Sequence, residues 1–284
     1  MVRKNKLNIY TIVTILVVCI LAVYIYNNKE DLKLRINSVE PLFYIQYSDL
    51  KENYPVKMTQ LPIYVFYHIC TANMKILDEQ IGELVNSGLY SVATKLFYGC
   101  NCSSCDTILE EYMKQYERFE PIPSAILPDT KTYENGTLNA MIAYAKGSKE
   151  KFYALYIHTK GTTNISEAQQ AWRRVMMYWL VTNYRLCIDI LNRDFYTVGL
   201  FYSTAFDLHG KQYEGNFFWT VSDYVKTLPM IKKVENRFNA EKLIFSKYQK
   251  GKHITLLKEL GKFALGYVFS IKIRPTENPY LAIV

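Results

Sequence analysis

The stretch Phe152–Gly161, FYALYIHTKG, constrains the fold more than any other part of the chain. Phe152 to Ile157 are all aromatic or aliphatic and rich in β-formers. That pattern predicts a strand buried on both faces, the kind found inside parallel sheets. His158, Thr159, Lys160 and Gly161 follow at once. In an open α/β sheet, ligands sit just beyond the carboxyl ends of the strands. An imidazole, a hydroxyl, an ammonium and a flexible backbone at that point read as the floor of a site. The plainer account, a strand followed by a polar turn, competes with it on this motif alone.

The flanking sequence predicts an α/β domain. Leu61–His68, LPIYVFYH, reads as a first strand, with Pro62 at its start, where a missing amide costs little. Met74–Ser87 places Ile76, Leu77, Ile81, Leu84 and Val85 at helical spacing, and Gly88 sits where a C-cap glycine belongs. Tyr90–Tyr98 reads as the next strand, so strand, helix and strand form a βαβ unit and point to a parallel sheet. A polar helix follows around Leu109–Arg118. Asn135–Ala145 predicts a helix feeding the central strand, and Glu167–Asn192 a long helix with an apolar stripe. Phe195–Tyr202 reads as a strand, Val221–Leu228 and Asn239–Tyr248 as short helices, and Tyr267–Ile273 as the last strand. Gly and Pro cluster nowhere after residue 60 and no repeat is present, so residues 61–284 read as one domain.

Residues 9–26, IYTIVTILVVCILAVYIY, carry no charge, Gly or Pro. At the helical rise they span roughly 27 Å, enough for a thin bilayer. Arg3, Lys4 and Lys6 precede them, which leaves residues 1–8 in the cytosol and the rest across the membrane. The exit Tyr24-Ile25-Tyr26-Asn27-Asn28 offers no small-residue cleavage site, so an uncleaved signal-anchor is expected rather than a signal peptide. Residues 27–60 read as a stalk, and the domain faces the lumen of the endoplasmic reticulum or Golgi as a single-pass type II membrane protein. Cys70, Cys100, Cys102, Cys105 and Cys187 suit that compartment. The Cys100–Cys105 loop reads as a disulfide rather than a zinc site, because no second ligand pair has metal spacing. Asn101, Asn135 and Asn164 head glycosylation tripeptides.

The formal net charge of +8 attracts nucleic acid, an anionic membrane or a phosphorylated substrate. No block of five Lys/Arg occurs, so a local diphosphate site is favoured over nucleic acid. There is no Walker loop, Gly-x-Gly-x-x-Gly, Gly-x-Ser-x-Gly or His-Glu-x-x-His. What remains is three strand-end groups: His158-Thr159-Lys160, Asp207-Leu208-His209 and Glu214-Gly215-Asn216-Phe217-Phe218-Trp219. Lys160 can neutralise a diphosphate and Thr159 can hydrogen-bond it. Gly215 permits close approach, Asn216 donates and accepts, and Phe217, Phe218 and Trp219 offer ring faces to a sugar. The plainer account has those three rings anchoring the core.

The order YHI…EQI…SGLY, YENGTL, YIHTKG, WRR…W, YEGNFFW…Y…LP resembles a glycosyltransferase-like family. Its members occur in large DNA viruses, algae and bacteria, share HTKG and GNFWW-type signatures, and look related to bacterial rhamnan-synthesis proteins. The match runs from about Leu61 to Glu241. The resemblance implies a GT-A-like, mostly parallel sheet flanked by helices. It also implies a nucleotide-sugar cleft lined by His158, Thr159, Lys160, Arg173 and the Gly215–Trp219 group. The Asp-x-Asp triplet of metal-dependent GT-A enzymes is missing. Asp207 and His209 form a variant pair for Mn²⁺ or Mg²⁺, or the diphosphate is neutralised without metal by Lys160 and Arg173. Glu214, Asp207 and Glu241 are the candidate bases, in that order. The expected function is sugar transfer from a nucleotide diphosphate to a hydroxyl of a glycan or glycoprotein. The rivals are an inactive lectin-like or scaffold protein, and a tethered protein that uses its basic charge for anionic partners.

Overall fold

A nine-stranded sheet in which all but two strands run in one direction organises the protein. The computed structural model describes residues 43–57, 60–100, 105–126, 133–162, 166–203, 210–232, 238–257 and 280–283. These fall in the unit spanning Leu42–Val284. The strands are β1 (Phe43–Gln46), β2 (Ile63–Ile69), β3 (Lys95–Cys100), β4 (Phe119–Ile126), β5 (Tyr153–His158), β6 (Thr197–Gly199), β7 (Tyr202–Ser203), β8 (Gln212–Tyr213), β9 (Phe218–Val221), β10 (His253–Thr255) and β11 (Tyr280–Ile283). The main sheet has the order β1-β11-β10-β6-β9-β5-β2-β3-β4, and β7 and β8 form a separate two-stranded ribbon.

β5, β2, β3 and β4 are parallel neighbours. β9 is antiparallel to both β5 and β6, which restores the common direction in β6 and its parallel partner β10. β11 is the other reversed strand. Chain order runs outward from β2 to β3 and β4 and then returns to β5 on β2's other side. The sheet's switch point therefore lies between β2 and β5. Both strands are buried along almost their whole length, as their unbroken apolar runs require.

The helices are α1 (Tyr47–Asn53), α2 (Met74–Asn86), α3 (Leu89–Val92), α4 (Glu110–Met113), α5 (Asn135–Gly147), α6 (Glu167–Met177), α7 (Tyr184–Leu191), α8 (Ser222–Val225) and α9 (Phe238–Leu243). α2 buries Ile76, Leu77, Ile81 and Leu84, the stripe expected from its spacing. α5 buries Leu138, Met141, Ile142 and Ala145 and packs against β2, β3 and β4.

Several expectations need correction. The strand expected from Tyr90 begins at Lys95, because Gly88 adopts φ 79° and the short α3 follows it. The long helix expected over 167–192 is broken by a π-helical turn, Tyr178–Thr182, where the Asn183 side chain donates to the Tyr178 carbonyl at 2.8 Å. The strand expected over Phe195–Tyr202 splits at Phe201, whose φ is 52°. The stretch Gln212–Trp219 does run into a helix, α8, one residue later than expected, but its end, Phe218–Val221, is the buried strand β9. A short apolar run fits either element, and here the sheet claims it. The C-terminal half of the stretch expected as a stalk belongs to the domain, since β1 pairs with β11 and α1 follows it. The strand expected at Tyr267–Ile273 and the membrane segment 9–26 lie outside the described residues. Among the described residues no helix is long and apolar enough to cross a membrane.

Gly199 is the tightest point beneath the ribbon. A Cβ there would meet the Tyr213 ring at 2.4 Å. That ring cannot swing away, because its hydroxyl is tied to Thr197 and to the Ile254 carbonyl. Gly199→Ala should therefore cost about 1–3 kcal/mol. Gly82→Ala, in open space within α2, should gain about 0.5–1 kcal/mol. Urea unfolding of the two variants beside wild type checks both signs. Wild-type stability for Gly199→Ala would mean that β8 does not lie against β6.

Candidate functional site at the sheet switch point

His68 and His158 face each other as register partners at the carboxyl ends of β2 and β5. The crevice outside such a switch point is where an open α/β sheet binds ligands. Beyond the strands the two chains stay joined. Thr159 N–H donates to the His68 carbonyl at 3.0 Å, and Cys70 N–H donates to Thr159 Oγ1 at 2.7 Å. Gln80 of α2, held by the Tyr67 hydroxyl, donates to the His158 carbonyl at 3.0 Å. Gly161 takes φ 84°, a conformation open to glycine at little cost, and turns the chain towards α6.

The centre of the site is an ion pair built from three separate segments. His158 Nδ1 lies 2.5 Å from Glu134 Oε1, at the start of α5. The other carboxylate oxygen of Glu134 accepts from the Tyr156 hydroxyl at 2.9 Å and from Asn216 Nδ2 at 2.6 Å. His158 Nε2 lies 3.1 Å from the Gly215 carbonyl, which can only accept. Burial pushes the Glu134 carboxyl up, but the charge and hydrogen bond of His158, then His68 and Asn216, outweigh it and hold it at about 2. The positive end of the α5 dipole favours the same charge. A carboxylate thus faces one imidazole nitrogen and a carbonyl the other.

The reversed strand β9 explains why these groups meet. An antiparallel strand enters the sheet from the carboxyl edge of its neighbours, so residues just before it arrive beside His158. Gly215 has φ 91°, and a Cβ there would meet Met176 Sδ at 2.4 Å, so the turn requires glycine. Asn216 also takes a positive φ, 55°, at about 1 % exposure. The Phe217 ring sits edge-on to His158 with centroids 5.1 Å apart.

The expected site residues therefore divide. His158 and Thr159 line the crevice, but their polar atoms are taken up in holding it together. The ammonium of half-buried Lys160 lies 4.6 Å from the Trp172 ring centroid, and among the described residues no carboxylate pairs with it. Arg173 is a correction: its side chain is buried and donates to the Lys160 carbonyl at 3.2 Å and to Glu79 at 2.7 Å. It positions Lys160 and does not meet a diphosphate itself. Phe217, Phe218 and Trp219 are also corrected, because all three rings are enclosed in the core and Trp219 Nε1 donates to the Leu180 carbonyl at 2.6 Å. Enclosed rings have no face to offer a sugar. Gly215 and Asn216 remain beside His158, buried beneath the crevice.

Glu214 is half-buried and immediately precedes Gly215, so it borders the cluster. Glu241 lies on α9, which packs against β8 and α5. Asp207 and His209 lie outside the described residues. Among the described residues no group of three His, Cys, Asp or Glu side chains could hold a metal. The Glu134–His158 pair does not fit one, since both carboxylate oxygens and both ring nitrogens are already engaged. Cys100 is disulfide-bonded, as the loop reading expects, while Cys70 and Cys187 are free thiols. Asn135 is buried in the first turn of α5, which removes it as a glycan acceptor; Asn101 and Asn164 lie outside the described residues.

Glu134 is the residue that sequence reasoning missed. Its signal was the aligned pair of motifs YENGTL and YIHTKG, each placing one polar group at the end of an apolar element. Four buried polar atoms in or beside the cluster have no hydrogen-bond partner among the described residues: both amide atoms of Asn135, Asn216 Oδ1 and Trp172 Nε1. Buried polar groups almost always find partners, so these mark positions completed by water or ligand.

The Glu134 carboxyl is held below its unfolded value, so its contribution to stability is complete above pH 4.5 and is lost as pH falls through about 2. Glu134→Gln keeps the volume and removes the charge. It should cost roughly 3 kcal/mol at pH 7, and the gap from wild type should narrow as pH falls from about 4.5 towards 2. Denaturant unfolding at pH 7 and pH 3 measures this, and a gap independent of pH would contradict an ionised Glu134.

A family model described as a domain of unknown function, DUF8361, matches residues 66–264. That stretch runs from within β2 past β10 and includes every residue of the His158 cluster. A search of curated proteins found no match.

Proposed function

The chain belongs to the DUF8361 family, and we propose that it is a glycosyltransferase moving a sugar from a nucleotide diphosphate to a hydroxyl of a glycan or glycoprotein. The observation that carries this reading is the contact between the two resembling motifs. The HTKG and GNFFW segments, about sixty residues apart, touch through His158 Nε2 and the Gly215 carbonyl at the switch point. The sheet supports the GT-A-like reading as well. Counting from β2 in chain order and omitting the ribbon, the core strands run 3-2-1-4-6-5-7, with the sixth reversed. A doubly wound half is thus joined to a mixed half across one antiparallel strand.

In this reading Lys160 stabilises the departing diphosphate. That charge develops in the transition state, where a preorganised cation lowers the barrier most. Arg173 fixes the Lys160 backbone through its carbonyl, and the Trp172 ring lies under the ammonium. The acceptor oxygen bonds to the anomeric carbon as the bond from that carbon to the phosphate oxygen breaks. In an inverting reaction Glu214 receives the acceptor proton. The His158–Glu134 pair moves no proton; it fixes the floor of the site. Residues 9–26 anchor the enzyme, with the domain on the lumenal side.

Lys160→Ala should reduce transfer or donor hydrolysis by about 10²–10³-fold, the usual scale for losing one charge-stabilising donor, and leave the melting temperature near wild type. A screen of nucleotide sugars by thermal shift on the full chain in detergent identifies the donor, because a ligand of the native state raises the midpoint. Wild-type turnover in Lys160→Ala would remove this residue from the site. A screen in which no nucleotide sugar shifts the midpoint would favour the lectin-like alternative.

A further inference from the structure

The head of α5 carries two features that the Glu134–His158 contact does not use. α5 starts between the two strand ends of the switch point. Glu134 lies against His158 of β5, and Thr137 Oγ1 lies 2.8 Å from His68 Nδ1 of β2. Asn135, the first residue of this thirteen-residue helix, is 4 % exposed. Neither atom of its amide has a hydrogen-bond partner among the described residues. Tyr133, two residues earlier, is 44 % exposed and holds a φ of 47°. A bulky side chain at positive φ costs backbone energy, and such positions cluster where ligands are held.

An exposed ring and an unpartnered amide, two residues apart, specify a type of ligand. The ring offers a flat apolar body. The amide calls for a partner that donates to its oxygen and accepts from its nitrogen. A phosphate only accepts, and the Glu134 carboxylate, which stands between the two in sequence and is held at about 2, repels it. A nucleobase meets both demands. It has a face to stack, and an edge where a donor adjoins an acceptor, the pairing asparagine makes with adenine. The anionic end of such a molecule belongs on the other side of the Glu134–His158 contact, where Lys160 lies two residues beyond His158, at most about 7 Å along the chain.

We propose that Tyr133 and Asn135 form the nucleobase subsite of this crevice, the ring stacking on the base and the amide pairing with its edge. Binding includes a local rearrangement that uncovers the Asn135 amide. That the base belongs to a sugar donor rests on the sugar-transfer reading above; the base-binding chemistry does not.

The test is calorimetric titration of the full chain in detergent with the 5′-diphosphates of uridine, cytidine, adenosine and guanosine, beside inorganic pyrophosphate. At least one nucleoside diphosphate should bind tenfold or more tighter than pyrophosphate. Tyr133→Ala should weaken it about tenfold, the scale for losing one base–aromatic stack, while Tyr133→Phe should not. Asn135→Leu should flatten the preference among the four bases. Neither Tyr133→Ala nor Asn135→Leu should change pyrophosphate binding. Tyr133→Gly, which relieves the backbone, should lose the stack with a melting temperature at or above wild type. Pyrophosphate binding as tightly as every nucleotide, none of the five binding, or base preference untouched in both Tyr133→Ala and Asn135→Leu would each overturn the proposal. Turnover of a nucleotide sugar with wild-type KM in Tyr133→Ala would remove the subsite and leave the transfer reading standing. Base-selective binding that needs Tyr133, in a protein that turns over no nucleotide sugar, would uphold the subsite while sinking the transfer reading.

Discussion

The arrangement of the carboxyl edge depends on one buried ion pair. Glu134 reaches from the start of α5, His158 from the end of β5, and Asn216 and Gly215 from the turn before β9. None of these segments is near another in sequence. Taking a carboxylate out of water is expensive, and the contact recovers that cost only because both carboxylate oxygens are engaged. Removing one member strands the other, and the turn at 215–216, with two consecutive positive φ values, loses its main tether. Stability and site geometry are therefore the same problem here.

That coupling separates residues that meet a ligand from residues that hold the site. His158, Thr159, Arg173 and Asn216 all look chemical in sequence, yet each spends most of its hydrogen bonds on the protein. Arg173 shows why. A guanidinium carries five N–H donors in a rigid fork, so it can fix the Lys160 carbonyl and pair with Glu79 at once. Lysine has a single mobile charge on a flexible stem, and Lys160 alone of this group keeps it available.

Much of the fold was legible because buried parallel strands leave unbroken apolar runs. β2, β5 and α2 were readable from such runs and from helical spacing, and the HTKG segment lies at the carboxyl end of β5, where the strand reading put it. The GNFFW group was read as a sugar platform, since sequence records that rings are present and not which way they face. Its burial follows from β9 lying between β5 and β6, each of which covers one flank of the strand. A four-residue apolar strand leaves too short a pattern to declare itself, so only the helix that follows β9 was legible. Glu134 was hidden for a different reason. One acidic residue before a helix is common, and only its pairing across 24 positions with His158 gives it meaning.

The reversed strand also explains how one chain serves both edges of the sheet. A parallel strand must return over a face before it re-enters, so its preceding loop lies at the amino edge. β9 runs the other way, so the residues before it lie at the carboxyl edge and those after it at the amino edge. Gly215 and Asn216 therefore stand beside His158, while Val221 and Asp223, with Lys211, line a cleft of about 840 Å³ at the other edge. The ribbon strand β8 runs back over β6 between the same two regions, with the Tyr213 ring filling the space above Gly199. Residues 210–216 are therefore the stretch of chain that connects the wall at Lys211 with the contact at His158.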